Sequence, residues 1–376
     1  MLLALAIACL ALAALPLGLC LMNLFLYKSP QVIDEDDLPS VSVLIPARNE
    51  QERIGPVLEA VLANRGCPFE VVVADDGSTD RTADVIKAFG QRDARVRLIA
   101  TPPLPKGWMG KNNACQALGQ AARYDIALFL DADVRLAPDA IARVASFMRD
   151  KGVSLASGFP HQIAVGFWER LIVPLIHFVL LGYLPMIGAK LSRSPAFATA
   201  CGQLIAVRLA DYRAVGGHGS IHDKIHDGVQ LARVFRRRGL KTELFDAERL
   251  AATQMYDNLR ALWAGFSKNA HEGMATPVAL PIWTVLLFGG HVLPFILLPV
   301  AWALGADELT VRVLLAAVAC AWAVRVLLAI RFRQSWVSAL LHPLGIIFML
   351  VLQWTALFRW FTGRQVRWRG RAYSKS

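Results

Sequence analysis

The sequence predicts an α/β protein: one domain built on a Rossmann-like, mostly parallel sheet, with apolar transmembrane helices before and after it. Three observations carry this expectation. Short apolar runs ending at polar loops alternate with helix-start signals, the pattern of a parallel sheet. Long hydrophobic runs lie only at the two ends, whereas residues 38–274 have the mixed composition of a domain with a full core. The mean hydropathy of +0.43 is too high for an ordinary soluble chain of 376 residues.

Residues 1–27, MLLALAIACLALAALPLGLCLMNLFLY, are long enough to span a bilayer. No positive charge precedes the apolar run, and Leu19 before Cys20 does not fit a lipoprotein cleavage site. A retained anchor is therefore expected rather than a cleaved leader. An acidic linker, Asp34-Glu35-Asp36-Asp37, follows. Of the formal charge of +11, part is concentrated in a basic tail, residues 362–376, beside a hydrophobic segment. That placement favours anionic lipid headgroups over nucleic acid. The six cysteines form no C-x-x-C and no metal-ligand spacing, so neither a disulfide framework nor a thiolate metal site is expected.

The domain opens with Val41–Pro46, VSVLIP, a continuous apolar strand of the kind buried on both faces. ARNEQERI follows as a turn and helix start. Glu70–Asp80, EVVVADDGSTD, repeats the design, with Ser78 or Thr79 able to cap a helix. A third strand is expected at Arg97–Ala100, then the loop TPPLPKGWMGKN, a helix over Asn113–Arg123 and a fourth strand at Tyr124–Leu130. That strand runs into Asp131 and Asp133. Positions i and i+2 of an extended chain point to one side, so both carboxylates could face one cation beyond the sheet's carboxyl edge, where open α/β sheets bind ligands. One or two carboxylates plus substrate phosphates are a usual Mg²⁺ site. The residues alone also suit a surface turn, as does Asp75-Asp76-Gly77, and Arg48 and Glu50 also suit a solvated pair.

IPARNE, DDGSTD and LDADV, in this order and at these intervals, resemble the nucleotide-binding half of a family 2 glycosyltransferase of the GT-A fold, over Val41 to about Asp257. The resemblance implies that Pro46, Ala47, Arg48 and Glu50 line a uracil pocket and that Asp76, with Asp75 beside it, meets the base. It implies Asp131 near the ribose or sugar and Asp133 on a Mg²⁺ or Mn²⁺ ion. Pro105–Gly119, PKGWMGKNNACQALG, looks like the corresponding loop of bacterial carotenoid (diaponeurosporenoate) glycosyltransferases. Lys111 near a helix start suits a diphosphate, though a snorkelling surface lysine fits the residues equally.

The second half is expected to hold acceptor and base. Ala198–Ser220 reads as a small-residue turn, a strand and a Gly-rich loop, and Ile221–Gly239 as a helix. Asp227 matches the carboxylate that, in the family, deprotonates the acceptor. GGHGS and DG resemble the carotenoid enzymes' GGHKS and EG, with Asp in place of Glu. Asp227 is also a favourable charge in a first helical turn with no ligand at all. His222 and His226, four apart, would share a helix face, but no further ligand accompanies them, and His218 is a weaker candidate near the diphosphate.

Phe167–Leu191 is apolar and interrupted by Pro174 and Pro185. A crossing here would put the two halves of one active site on opposite sides, so 167–191 is expected to be an interfacial segment that brings a lipid acceptor to the site. Met255–Gly273 resembles the family's helix after the core but lacks Q-x-x-R-W, which implies a single, non-processive transfer. The C-terminal transmembrane region, 277–361, divides into candidate spans Pro277–Leu304, Val311–Ile330 and Val337–Phe361. A cytosolic domain puts RFRQSW on the positive-inside face, but three further spans would put the basic tail outside. Re-entry of the first or last segment would resolve this.

The resemblance thus implies an inverting, metal-dependent hexosyltransferase in the inner (cytoplasmic) membrane, multi-pass, with its catalytic domain cytosolic. It would move a sugar, glucose by default, from a UDP-sugar donor to a lipid acceptor such as a carotenoid or other isoprenoid. A polyprenyl phosphate, a glycerolipid or an inactive membrane scaffold are the alternatives. A nucleotidyltransferase would carry a Gly-rich triphosphate loop at the first strand, and IPARNE is not one.

Overall fold

The computed structural model describes residues 1–32, 37–362, 366–368 and 371–373. The acidic linker lies outside the described residues apart from Asp37. So does the basic tail, apart from Thr362 and the strands Val366–Trp368 and Arg371–Tyr373. The chain forms two compact units, one of residues 1–26, 164–185 and 255–376, the other of residues 27–163 and 186–254.

The second unit contains an eight-stranded mixed sheet: β1 Val41–Ala47, β2 Phe69–Asp75, β3 Val96–Ala100, β4 Ile126–Leu130, β5 Val134–Leu136, β6 Leu155–Gln162, β7 Leu204–Arg208 and β8 Thr242–Thr253. The order is β3-β2-β1-β4-β7-β6-β8-β5. Strands β1 to β4 pair in parallel, as the alternating sequence predicts, and β7 enters antiparallel between β4 and β6. Period-two alternation puts Val41, Val43 and Ile45 in one core with Val71 and Val73, against the helix Ile54–Leu62. Leu44 and Val72 enter the opposite core with Ala114 and Leu118 of the helix Gly110–Ala121 and with Leu231 and Phe235 of the helix Asp227–Arg237. A strand buried on both faces leaves little room for polar side chains, and the candidate carboxylates Asp75, Asp76, Asp131 and Asp133 lie where β2 and β4 end. Polar side chains within the strands are paired: Ser42 Oγ donates to Glu70 Oε1 at 2.8 Å, and Arg97 pairs with Glu70 at 2.9 Å.

The first unit is helical. Among the described residues three helices are long and apolar enough to cross a membrane: Leu2–Leu26, Glu308–Arg331 and His342–Phe361. The expected span Pro277–Leu304 is instead two helices, Ala279–His291 and Leu293–Ala303, bent by 46°. Pro294 opens the second of these. A Cβ on Gly290 would stand 2.7 Å from the Leu12 carbonyl, so the first helix approaches the bend at backbone distance, as small residues permit. Val337–Phe361 is likewise divided, into Trp336–Leu340 and His342–Phe361, with Pro343 at the restart. The segment 167–191 forms the helices Phe167–Ile172 and Leu175–Tyr183 in the first unit and Met186–Leu191 in the second. None is long enough to span a bilayer.

Candidate active site

Strands β1, β2 and β4 end at one edge, and the loops leaving them carry the candidate residues. At the end of β1, Asn49 adopts the left-handed conformation (φ 53°). Its Oδ1 accepts from Thr79 N at 2.8 Å, while its own N–H donates to Ser78 Oγ at 3.0 Å. The loops after β1 and β2 are thus clasped. Arg48 Nη1 donates to the Asp76 carbonyl at 2.6 Å and lies 3.8 Å from Asp76 Oδ2. Glu50 is buried, its N–H donating to Thr82 Oγ1 at 2.8 Å. Asp75 accepts from the Ser78 N–H and hydroxyl, closing the turn. Pro46 lies within β1, and the Ala47 methyl belongs to the core. Only the main chain of Ala47 faces the edge, its carbonyl accepting from Asp76 N at 2.9 Å.

The Asp-Ala-Asp stretch is not extended. Strand β4 stops at Leu130, and Val134 N donates to the Asp131 carbonyl at 3.0 Å, closing a turn before β5. The two carboxylates are therefore brought together by this turn, not by strand alternation. The Asp131 N–H donates to the Gln203 carbonyl at 3.1 Å, which fixes the turn to the loop ahead of β7.

Lys111, in the first turn of its helix, joins three segments. Its Nζ lies 2.6 Å from Asp131 Oδ1 and 2.8 Å from Asp227 Oδ2, and donates to the Gly202 carbonyl at 3.1 Å. Burial opposes the charge, yet the two carboxylates hold the Lys111 ammonium well above its ordinary range. Burial would raise Asp227, but Lys111 overrides it and brings the carboxyl down to about 2. Asp133 is the opposite case. Burial, then Asp131 and Glu50, push it up to about 7, and its buried Oδ1 has no hydrogen-bond partner among the described residues. Burial pushes the Cys201 thiol up to about 12, too high for a thiolate nucleophile.

An Asp held protonated in the fold destabilises it once ionised, because the unfolded chain gives up that proton near 3.9. The stability is full below that value and lost as pH rises through about 7. With no divalent cation present, Asp133→Asn is expected to leave the melting temperature unchanged at pH 4 and to raise it at pH 8. An equal shift at both values would contradict the assignment.

Asp227 opens its helix at the first turn, later than the helix expected from Ile221, because Gly217–Ile221 forms a separate short 3-10 turn. His222 and His226 consequently share no helix face. His222 lies against Trp108, ring centroids 5.3 Å apart. Among the described residues no three His, Cys, Asp or Glu side chains cluster as a metal site of their own. His218 is buried, its Nδ1 2.8 Å from the Tyr212 hydroxyl. Burial, partly offset by Asp227, brings it down to about 4, so the ring is neutral.

Two features escaped the sequence reading. Asn112 Nδ2 donates to the Ile221 and Lys224 carbonyls, both at 2.8 Å, and so carries the loop before Asp227. No motif marks this; the adjacent Asn113 looks the same but donates to Pro102. The second is the close approach at Gly228, where a Cβ would lie 2.7 Å from Gly202 N and 2.8 Å from the Ala200 carbonyl. Those are main-chain atoms, so Gly228→Ala is expected to cost about 1–3 kcal/mol, read as a lower melting temperature. An unchanged melting temperature would mean that the loop yields freely.

A mixed sheet with Arg48, Asp76, Asp131 and Asp133 past its strand ends, and with Lys111 and Asp227 at the starts of their helices, has the form of the GT-A fold. Residues 42–213 match the model described as Glycosyl transferase family 2, and this stretch is a domain of that family. The chain is 28% identical over 349 residues to the 4,4'-diaponeurosporenoate glycosyltransferase of Staphylococcus aureus, covering 90% of this chain and 89% of that one. It is also 28% identical over 242 residues to the enzyme of the same name from Staphylococcus haemolyticus. That second match covers 63% of this chain and 62% of the relative, less than two thirds of its length. Among solved structures, a mannosyltransferase from Pyrobaculum calidifontis in complex with GDP-Man and Mn²⁺ shares the fold, with a TM-score of 0.53 and 18% identity. The match covers 95% of this chain and 99% of that one. The chain thus carries a domain matching Glycosyl transferase family 2 and, among the described residues, apolar helices long enough to cross a membrane.

Proposed function

We propose that this enzyme transfers one sugar at a time from a UDP-sugar, glucose by default, to a lipid acceptor such as a carotenoid or another isoprenoid. Transfer takes place at the cytoplasmic face of the inner membrane, with inversion at the anomeric carbon. The observation that carries this is the position of Lys111 between Asp131 and Asp227. It puts a cation, a donor-side carboxylate and a candidate base within one contact of each other. The names of the staphylococcal relatives support a carotenoid acceptor.

The uridine lies over the clasped loops after β1 and β2, with Pro46, Ala47, Arg48, Glu50 and Asp76 around the base and Asp131 near the ribose or sugar. Asp133 fits a divalent Mg²⁺ or Mn²⁺ ion, since its Oδ1 is buried and unpartnered beside two further carboxylates. The ion supplies neutralising charge for the leaving diphosphate. The acceptor oxygen attacks C1 from the side opposite the diphosphate. The bond from C1 to the phosphate oxygen breaks, UDP departs with its electron pair, and Asp227 takes the acceptor proton.

A carboxyl near 2 is a weak base while Lys111 sits on it. A bound diphosphate gives Lys111 another anionic partner, and Asp227 gains basicity as that charge is shared. An acceptor that is already a carboxylate needs no base, and Asp227 then orients rather than deprotonates.

The test is nucleoside-diphosphate release by the full chain in detergent with membrane lipid extract and Mn²⁺, read as UDP from UDP-glucose against GDP from GDP-mannose. Release that requires both the lipid and the cation, and that favours the uridine donor, is the expected result. Preference for GDP-mannose would overturn the donor assignment. No release with either donor, from folded protein, would favour the inactive scaffold.

A further inference from the structure

The helical unit buries a cationic side chain that sugar transfer does not use. Arg325 lies on the helix Glu308–Arg331, six residues before its end, and its side chain is fully buried. At 1.5 Å per residue that is about 9 Å inside the helix terminus. One nitrogen, Nη2, donates to Ser338 Oγ at 2.9 Å and to Gln334 Oε1 at 3.3 Å. Nε and Nη1, which carry the other three of the guanidinium's five N–H donors, have no acceptor among the described residues.

The surroundings are organised around one ring. The guanidinium stands 6.0 Å from the centroid of Phe178. His291 and His342 each meet that ring edge-on at 4.8 Å. The two imidazoles are joined, His342 Nε2 to His291 Nδ1 at 3.1 Å, and His291 Nε2 reaches the Tyr183 hydroxyl at 3.1 Å. His342 Nδ1 is buried and has no partner among the described residues. Ser338, which accepts from Arg325, passes its own proton to the Leu171 carbonyl at 3.0 Å. The hydrogen bonds toward Ser338 are thus made, whereas Arg325 Nε and Nη1 and His342 Nδ1 have no partner among the described residues.

An arginine within an apolar helical unit is costly unless paired, and such residues generally mark a ligand or ion. Three donors on a planar guanidinium match the oxygens of a carboxylate or phosphate better than a single-atom anion. A water-borne anion would have to shed its hydration to reach this depth. An amphiphile already has its tail in the apolar phase. We propose that the Arg325–His342 corner of the helical unit binds the ionised oxyanion head of a membrane amphiphile.

This does not depend on the sugar-transfer reading, because its readout is lipid mass and not turnover. The experiment is native mass spectrometry of the full chain in phosphatidylcholine nanodiscs, titrated with oleate, with phosphatidylglycerol or with methyl oleate. Wild-type protein is expected to take up one saturable equivalent of oleate or phosphatidylglycerol and none of methyl oleate. Arg325→Gln is expected to weaken that uptake about tenfold or more, and Arg325→Lys to retain most of it, since it keeps the charge. Tighter oleate identifies a carboxylate head, and tighter phosphatidylglycerol a phospholipid; either supports the site. Equal saturation by methyl oleate overturns the proposal in wild-type protein alone, even should Arg325→Gln fail to fold. Unchanged uptake by a folded Arg325→Gln protein overturns it as well.

Discussion

Asp227→Asn is expected to abolish transfer to a hydroxyl acceptor, a loss of about 10²–10⁴-fold in kcat, while leaving UDP affinity nearly intact. The amide keeps the volume and can still accept from the Gly228 N–H, which lies 2.8 Å from Asp227 Oδ1. Lys111 retains Asp131 and the Gly202 carbonyl. What is removed is the group able to take a proton. The loss should therefore depend on the acceptor: large for an alcohol, much smaller for a carboxylic acid that arrives ionised. Single-turnover UDP release with paired alcohol and acid acceptors separates the two. Near-normal turnover on the alcohol would remove the base assignment. Equal losses on both acceptors would make Asp227 a positioning residue only.

The other large effect concerns Asp133. For Asp133→Ala we expect UDP affinity in the presence of Mn²⁺ to fall to the value measured in EDTA, by calorimetry. Wild-type protein should show cation-enhanced binding that weakens below about pH 7, because a proton competes with the ion for a carboxyl pushed up to that value. Asp227, held near 2, contributes no such limb. Cation-enhanced UDP binding that survives the substitution would place the metal elsewhere.

Much of this was legible in the chain itself. The strands read clearly because Val, Ile and Leu at alternating positions must enter two cores at once, as Leu44 and Ile45 do. The carboxylates at strand ends followed from the same burial. Less visible was anything that depends on distant backbone. The Asp131–Asp133 turn is set by hydrogen bonds to Gln203 and Val134, not by local propensity. The late start of the Asp227 helix is set by the preceding 3-10 turn and by Asn112, an asparagine with no motif around it. Lys111 read as a candidate for the phosphate side or as a snorkelling surface lysine, and its two carboxylate partners lie 20 and 116 residues away in sequence. Tertiary pairing of that kind leaves no periodic signature.

The antiparallel entry of β7 and the late position of β8 have a consequence for biosynthesis. Strand β5 pairs only with β8, so Val134–Leu136 must wait on the ribosome until residues beyond 250 have emerged. In the interval the apolar helices of residues 164–185 have already been made, and they belong to the other unit. No contiguous stretch of the gene encodes either unit whole. A truncation that stops at 163 removes β7 and β8 and leaves β5 and β6 without their sheet partners, so a fragment holding the whole sheet requires excision of residues 164–185 and religation of their flanks, not a single cut.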